Sequence, residues 1–243
     1  MNGFETVIYE RNGNIAHVTL NRPRVLNVYS VQMRDDLYEV LSAIKADDEI
    51  RAVIFNGAGE KAFCAGADLS EFLTAPSVVK ARKIRVLRDL WGLFRSMPQP
   101  LIAALHGYVL GSGMEIALFC DIRIAAENTI FGLPEMGLGI IPGAGGTQTL
   151  PRVIGLARAL DMLLTNRRMN AQEALESGLV SRVVPGDRLL ETTDEIARKI
   201  ASFKAAAVRN GKQAVLQGLD MPLQQGLDLE KRLAMKTRTS GHQ

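Results

Sequence analysis

Apolar and polar residues alternate along FETVIYERNG and NIAHVTLNRP, with Asn12-Gly13 between the two runs. That pattern predicts two strands around a tight turn. The period then changes. Ser30 precedes Met33, Leu37, Val40, Leu41 and Ile44, the spacing of one helix face behind a capping serine. AVIFNGA reads as a short buried strand, and GEKAFCAGADLSEF as a glycine- and alanine-rich turn. A helix over roughly 78–96 follows, with Ile84, Leu87, Leu90, Trp91 and Phe94 inward and Pro98 and Pro100 ending it.

PLIAALHGYV predicts the next strand, and GSGMEIALFCD a short helix starting at the glycines. IRIAAE and TIFG are further short strands, and GGTQTLPRVIG, LARALDMLLTN and NAQEALESG are helical, the last closed by Gly178. LVSRVV is a strand, and from Asp187 onward every segment has helical periodicity. Strands alternating with helices and then helices alone predict an α/β core with parallel strands and crossover helices. The expected division is a core over residues 1–186 and a helical C-terminal region over 187–243, with no Pro-, Ser- or charge-rich linker between them.

Composition narrows the function classes. The 243 residues suit one large domain or a domain plus a small appendage, and 47% hydrophobic with 23% charged residues is ordinary for a globular protein. A net charge of +3, with RVIGLAR and NRR short and interrupted, argues against a nucleic-acid partner. No apolar run is long enough to span a membrane, and MNGFETVIYERNG lacks a secretory pattern, so a cytoplasmic location is expected. Cys64 and Cys120 are too far apart in sequence for a CxxC pair, and no histidine–carboxylate spacing suits a metal. His106 lies in an apolar strand and is expected to be a satisfied core histidine, and Cys64 a small core residue.

Three segments carry candidate chemistry. In AFCAGADLS, Gly66 permits close backbone approach to a ligand; a tight surface turn is the plain structural alternative. In HGYVLGSGMEI a strand runs through Gly111-Ser112-Gly113 into a helix, whose free N–H groups and dipole favour an anion or oxyanion. Helix–strand packing is the alternative there. The dinucleotide fingerprint fails because Ile116 stands at its third glycine, a phosphate loop lacks its GK[ST], and a nucleophile elbow fails at Leu110. A serine hydrolase would need a later histidine, and only His242 follows Ser112. In FGLPEMGLGIIPGAGG, Pro134 keeps Leu133 extended and so holds Glu135 at a strand end; a solvated loop glutamate is the alternative. Glu115 and Glu135 both stand in glycine-rich, apolar surroundings where a carboxylate is costly to desolvate, so they are candidates for a paired acid/base site.

Taken together and in order, NRPRVLN, AFCAGADL, HGYVLGSGMEIALFCDIRIA and FGLPEMGLGIIPGAGGTQTLPR resemble the crotonase (enoyl-CoA hydratase/isomerase) superfamily, over about residues 4–235. The resemblance implies a spiral of ββα turns with a helical C-terminal region, and a homotrimer or a hexamer made of two trimers. It implies backbone N–H groups of Ala67 and Ser112 as an oxyanion hole for a thioester carbonyl, with Glu115 and Glu135 as catalytic carboxylates. It implies Arg24, Val25, Ala65, Ala67, Asp68, Leu69, Ser70 and Gly111 around coenzyme A, which belongs to the acyl-CoA substrate; no separate cofactor is expected. Ser112 stands where the family has the middle glycine of GGG, and a backbone donor survives that change. Met114, with Leu133, Ile140 and the helix around 71–90, is expected to shape the acyl pocket. The family's C-terminal tail, often placed over the coenzyme, has no counterpart after RTSGHQ. The implied activity is hydration of a 2-enoyl-CoA to the 3-hydroxyacyl-CoA in fatty acid metabolism. Double-bond isomerase, hydrolase or dehydratase branches of the superfamily and a non-catalytic binding subunit are the alternatives. Isomerase branches mostly need only the second carboxylate.

Overall fold

The N-terminal hairpin is present, with β1 at Val7–Asn12 and β2 at Ile15–Leu20 paired antiparallel in register from Val7–Leu20 to Asn12–Ile15. It lies in a computed structural model that describes residues 3–74 and 88–239. Gly13 turns the chain at φ 60°, a conformation that suits glycine. The capped helix is α1, Val31–Ala46: Ser30 Oγ accepts from the Met33 N–H at 3.1 Å, and Met33, Leu37, Val40, Leu41 and Ile44 are all buried.

The further strands are β3 (Ala52–Gly57), β4 (Ala62–Cys64), β5 (Leu101–Leu105), β6 (Tyr108–Leu110), β7 (Ile122–Ala126), β8 (Ile130–Gly132), β9 (Met169–Asn170) and β10 (Arg182–Val184). Among the described residues they form two sheets, ordered β1-β2-β3-β5-β7-β10 and β4-β6-β8-β9. All pairings are parallel except β1 with β2 and β8 with β9. The helices after α1 are α2 (Leu90–Arg95), α3 (Ser112–Phe119), α4 (Gly146–Ile154), α5 (Leu156–Thr165), α6 (Ala171–Glu176), α7 (Leu189–Ala201), α8 (Ala205–Gly218) and α9 (Leu223–Thr239). The α/β architecture expected from the alternation of periods is therefore the one observed.

Two local expectations are corrected. The GEKAFCAGADLSEF segment is not turn throughout, because Ala62–Cys64 is a fully buried strand pairing with β6. PLIAALHGYV is not one strand but two, β5 and β6, in different sheets. Gly107 breaks it at φ 55°, where an added Cβ would stand 2.0 Å from the Lys61 carbonyl oxygen. The chain must cross Lys61 at backbone contact, which only glycine permits. Of the helix expected over 78–96, Leu90–Arg95 is helical with Leu90 and Phe94 buried; Ile84 and Leu87 lie outside the described residues, as does His242.

The main core joins α1, α2, α3 and the strand faces turned toward them; a second lies where α7 covers the large sheet, with Leu189 and Ala197 against Ile54, Ile102 and Ile124. The first C-terminal helix thus packs directly on the core. Farther on, α8 is tied down by Lys212, whose Nζ lies 2.6 Å from Asp121 Oδ2 and donates to the Gln99 carbonyl at 2.9 Å. The α8–α9 hairpin leaves Leu219 80% and Leu223 79% exposed.

Candidate active site

The strand β6 delivers the chain to Gly111, which turns it at φ 50° and ψ −125° into α3. Glu115 lies one turn in, its own N–H donating to the Gly111 carbonyl at 3.0 Å, and its residue is only 2% exposed. Its Oε1 accepts from the Ala144 N–H at 2.8 Å and the Gly146 N–H at 2.9 Å. These donors sit at the start of α4, where backbone N–H groups have no partner within the helix and the dipole favours negative charge. Burial pushes the Glu115 carboxyl above its usual pKa, while the Gly146 and Ala144 amides pull it back. The donor loop is set from behind: an added Cβ at Gly145, φ 119°, would stand 2.9 Å from the Phe119 ring.

Glu135 enters from the other side. It lies in the single turn Pro134–Leu138 directly after β8, with Leu133 at φ −122° before the proline. Its residue is half-buried, yet Oε2 is enclosed and accepts no hydrogen bond from the described residues. Burial, opposed by its own backbone N–H and reinforced by the Glu115 charge, pushes its pKa up to about 7. The two carboxylates therefore sense each other from unlike surroundings: one is held by two amides, the other has an enclosed oxygen with no donor among the described residues. The two amides favour the ionised form at Glu115, and burial favours the protonated form at Glu135.

The backbone around them is close-packed. A Cβ added at Gly111 would stand 3.0 Å from Glu135 Oε1 and 3.2 Å from the Gly66 Cα. Gly66 itself has φ 115°, and Gly113 packs so tightly that an added Cβ would lie 2.2 Å from the Cys64 carbonyl. Hence the Ala65–Ala67 turn, the start of α3 and the Glu135 side chain meet at one place. Ser112, 9% exposed, is the first residue of α3, so its N–H has no acceptor within the helix. Ala67 forms an isolated parallel bridge with Tyr29.

The residues expected around coenzyme A are more scattered. Arg24, Val25, Leu69 and Ser70 are exposed, Ala65 and Ala67 half-buried, and Gly111 buried. The Ala65 N–H donates to the Leu26 carbonyl at 3.0 Å. Asp68 is engaged by Arg22 Nη1 at 2.9 Å and by Ser70 Oγ at 2.6 Å. Arg24 lines a cleft of about 380 Å³ with Pro23, Leu26, Gly59, Glu60 and Lys61, and Glu115 and Glu135 are not among its lining residues. Met114 and Leu133 are each 1% exposed, within the core, whereas Ile140 is 38% exposed.

His106 only partly matches the expectation of a satisfied core histidine. It bonds the Gly59 backbone, but Nε2 is buried without a partner among the described residues, and burial lowers its pKa. Cys64 and Cys120 are buried thiols, pushed up to about 11 and about 12 by desolvation. No group of three or more His, Cys, Asp or Glu among the described residues could hold a metal.

Sequence reasoning missed the Ala144 and Gly146 amides, which bear no side-chain signature, and Arg22 and Asn27. The signal for the last two was present in NRPRVLN: Asn27 is fully buried at φ 55°, accepts from the Arg22 N–H and donates to the Ala58 and Ala62 carbonyls.

Comparison with known proteins places this geometry in context. The family model described as enoyl-CoA hydratase/isomerase matches residues 10–243. The short-chain-enoyl-CoA hydratase of Clostridium acetobutylicum is 43% identical over 225 residues, covering 92% of this chain and 86% of that one. The (E)-benzylidenesuccinyl-CoA hydratase of Thauera aromatica is 41% identical, with 91% and 86% covered. The crystal structure of an enoyl-CoA hydratase from Bacillus anthracis superimposes with a TM-score of 0.90 at 43% identity, covering 95% of this chain and 90% of that one.

Proposed function

The chain belongs to the enoyl-CoA hydratase/isomerase family as an enoyl-CoA hydratase of crotonase-like fold, and from that premise we propose the reaction and the groups that perform it. The reaction is the reversible addition of water to a 2-enoyl-CoA thioester, giving the 3-hydroxyacyl-CoA. Glu115 takes a proton from water as it attacks Cβ, and Glu135 delivers a proton to Cα. The backbone N–H groups of Ala67 and Ser112 stabilise the charge that collects on the thioester oxygen. The bonds balance: the O–H proton of water goes to Glu115, oxygen bonds to Cβ, the Cα=Cβ pair moves toward the carbonyl, and the Glu135 proton closes on Cα. No metal or redox group enters these steps.

One observation carries this reading: the unlike surroundings of the two carboxylates. The two amides on Glu115 Oε1 favour an ionised base, and the enclosed Oε2 of Glu135, which has no donor among the described residues, favours an acid. A proton-shuttling isomerase would use Glu135 alone, so a second buried and positioned carboxylate supports water addition. The test is crotonyl-CoA hydration followed at the enoyl absorbance. Glu115→Gln is expected to lose at least about a hundredfold in kcat, and intact hydration by that variant would overturn the assignment. A 3-enoyl-CoA isomerised by Glu115→Gln at the wild-type rate would favour the isomerase branch.

Coenzyme A fits the same reading. Arg24 and Lys61, which outnumber Glu60 on the cleft, would meet its phosphates, and the Ala65–Ala67 turn leads from there to the carboxylates. The exposed leucines of α8 and α9 suit burial against further copies in a homotrimer or a hexamer, which light scattering would measure. No helix among the described residues is long and apolar enough to cross a membrane, compatible with work on acyl-CoA in the cytoplasm.

A further inference from the structure

We propose that the Arg22–Asp68 ion pair positions the Ala67 amide, and so sets how strongly the thioester carbonyl is polarised, rather than holding coenzyme A. This rests on the role given to Ala67 above.

The geometry runs through the bridge between Tyr29 and Ala67. The Tyr29 N–H donates to the Gly66 carbonyl and the Asp68 N–H donates to the Tyr29 carbonyl, each at 2.8 Å. In a parallel bridge of this kind the central residue's own N–H and C=O point away from the partner strand. The direction of the Ala67 N–H is therefore fixed by how residues 66 and 68 are pinned to the 22–29 loop.

Arg22 supplies the pin. A single nitrogen, Nη1, donates to the Val28 carbonyl at 2.8 Å and to Asp68 Oδ2 at 2.9 Å. It thus joins the residue before Tyr29 to the residue after Ala67. The loop it braces has Leu26 and Asn27 at φ 57° and 55°, positions that cost energy for residues other than glycine and persist only when held. Asn27 holds them from the other side through the Arg22, Ala58 and Ala62 backbone.

Asp68 has little left for a ligand. Oδ2 is taken by Arg22, and Oδ1 accepts from Ser70 Oγ at 2.6 Å and from the Ser70 N–H at 3.2 Å. The Ser70 hydroxyl and then Arg22 hold its pKa below the usual carboxylate range. An ionised carboxylate whose oxygens are already engaged is also a poor neighbour for the phosphates of a coenzyme. Its side chain faces the loop, and its effect on substrate passes through the backbone.

The experiment uses the full chain and a conjugated 2,4-dienoyl-CoA, whose absorbance shifts to the red when its carbonyl is polarised. In Asp68→Asn the red shift of the bound thioester is expected to shrink and kcat for crotonyl-CoA to fall about tenfold or more, with KM within about threefold. Ser70→Ala, which removes only the 2.6 Å bond, takes a smaller step the same way, so the test does not depend on one variant folding. Arg22→Lys is expected to keep more of the shift than Arg22→Met, since an ammonium can still donate to both oxygens. A raised KM with kcat and red shift unchanged would overturn the proposal and make Asp68 a coenzyme contact; wild-type values throughout would overturn it too. If wild type binds the dienoyl-CoA with a red shift that Asp68→Asn diminishes, but does not hydrate crotonyl-CoA, the positioning role stands and the hydratase assignment fails.

Discussion

If Glu135 is the acid, the pH profile of hydration must carry its mark. Its carboxyl is pushed up to about 7, first by burial and then by the charge of Glu115. In the proposed mechanism the productive form has Glu135 protonated and Glu115 ionised. Above pH 7 the protonated fraction of Glu135 falls about tenfold per unit, so kcat/KM for crotonyl-CoA should drop about a hundredfold by pH 9. Below neutrality the limit comes from Glu115, also raised by burial, so the acid limb begins above the range of an exposed glutamate. The free enzyme's bell therefore lies between two carboxyls. A kcat/KM flat from pH 6 to 9 would refute the reasoning.

The same shift has a second readout that needs no substrate. A carboxyl whose folded pKa is raised ionises more readily in the unfolded chain. Its cost to stability is absent below the ordinary carboxylate range, grows as pH rises, and is complete above about 7. Discounted for the solvent that reaches this half-buried side chain, that cost is about 1–2 kcal/mol at pH 8. Glu135→Gln removes it. The variant's Tm relative to wild type should rise by about 3–6 °C between pH 4 and pH 8. A difference that does not change with pH would show that Glu135 titrates as an ordinary surface carboxyl.

Other consequences are simpler. Gly111→Ala forces an alanine to φ 50° with its Cβ 3.0 Å from Glu135 Oε1, and should cost about 2–4 kcal/mol in urea unfolding together with most of the activity. Gly146→Ala places a Cβ 2.7 Å from Pro142 and 3.2 Å from Glu115 Oε1, so kcat should fall more than tenfold with the acid limb displaced, as measured in the same pH series. Lys212→Met leaves Asp121 Oδ2 with the Leu101 N–H but without its cation and frees α8 from the Gln99 carbonyl, and should lower stability by about 1–3 kcal/mol in denaturant titration with KM unchanged.

Why the sequence told so much, and where it stopped, is visible at particular residues. The α1 stripe and its Ser30 cap were legible because each buried position carries an apolar side chain at helical spacing. β4 was not legible: Ala62, Phe63 and Cys64 are too few to display a period and stand among turn-forming residues, and their strand character comes from pairing with β6. The break between β5 and β6 was hidden because a glycine after a histidine signals no sheet change by itself; the contact with Lys61, 46 residues earlier, demands it. Tertiary contacts decided both places, and local propensity was neutral.

The site divides along the same line. Glu115 and Glu135 stood out because a carboxylate amid glycine and apolar residues is chemically conspicuous. What makes them different from each other was invisible. It resides in the Ala144 and Gly146 N–H groups, which every non-proline residue possesses, and in the lack of a donor at Glu135 Oε2 among the described residues. The residues of PGAGG matter here through shape. Gly145 yields to Phe119, and Gly146 leaves room for Glu115, so that the start of α4 can face a buried carboxylate. A substitution in this loop that keeps both glutamates should therefore abolish their inequality while leaving the acid/base pair formally intact. In the proposed mechanism, residue identity at positions 115 and 135 is for that reason a necessary sign of the chemistry, and the backbone opposite them is what would set which carboxylate holds the proton.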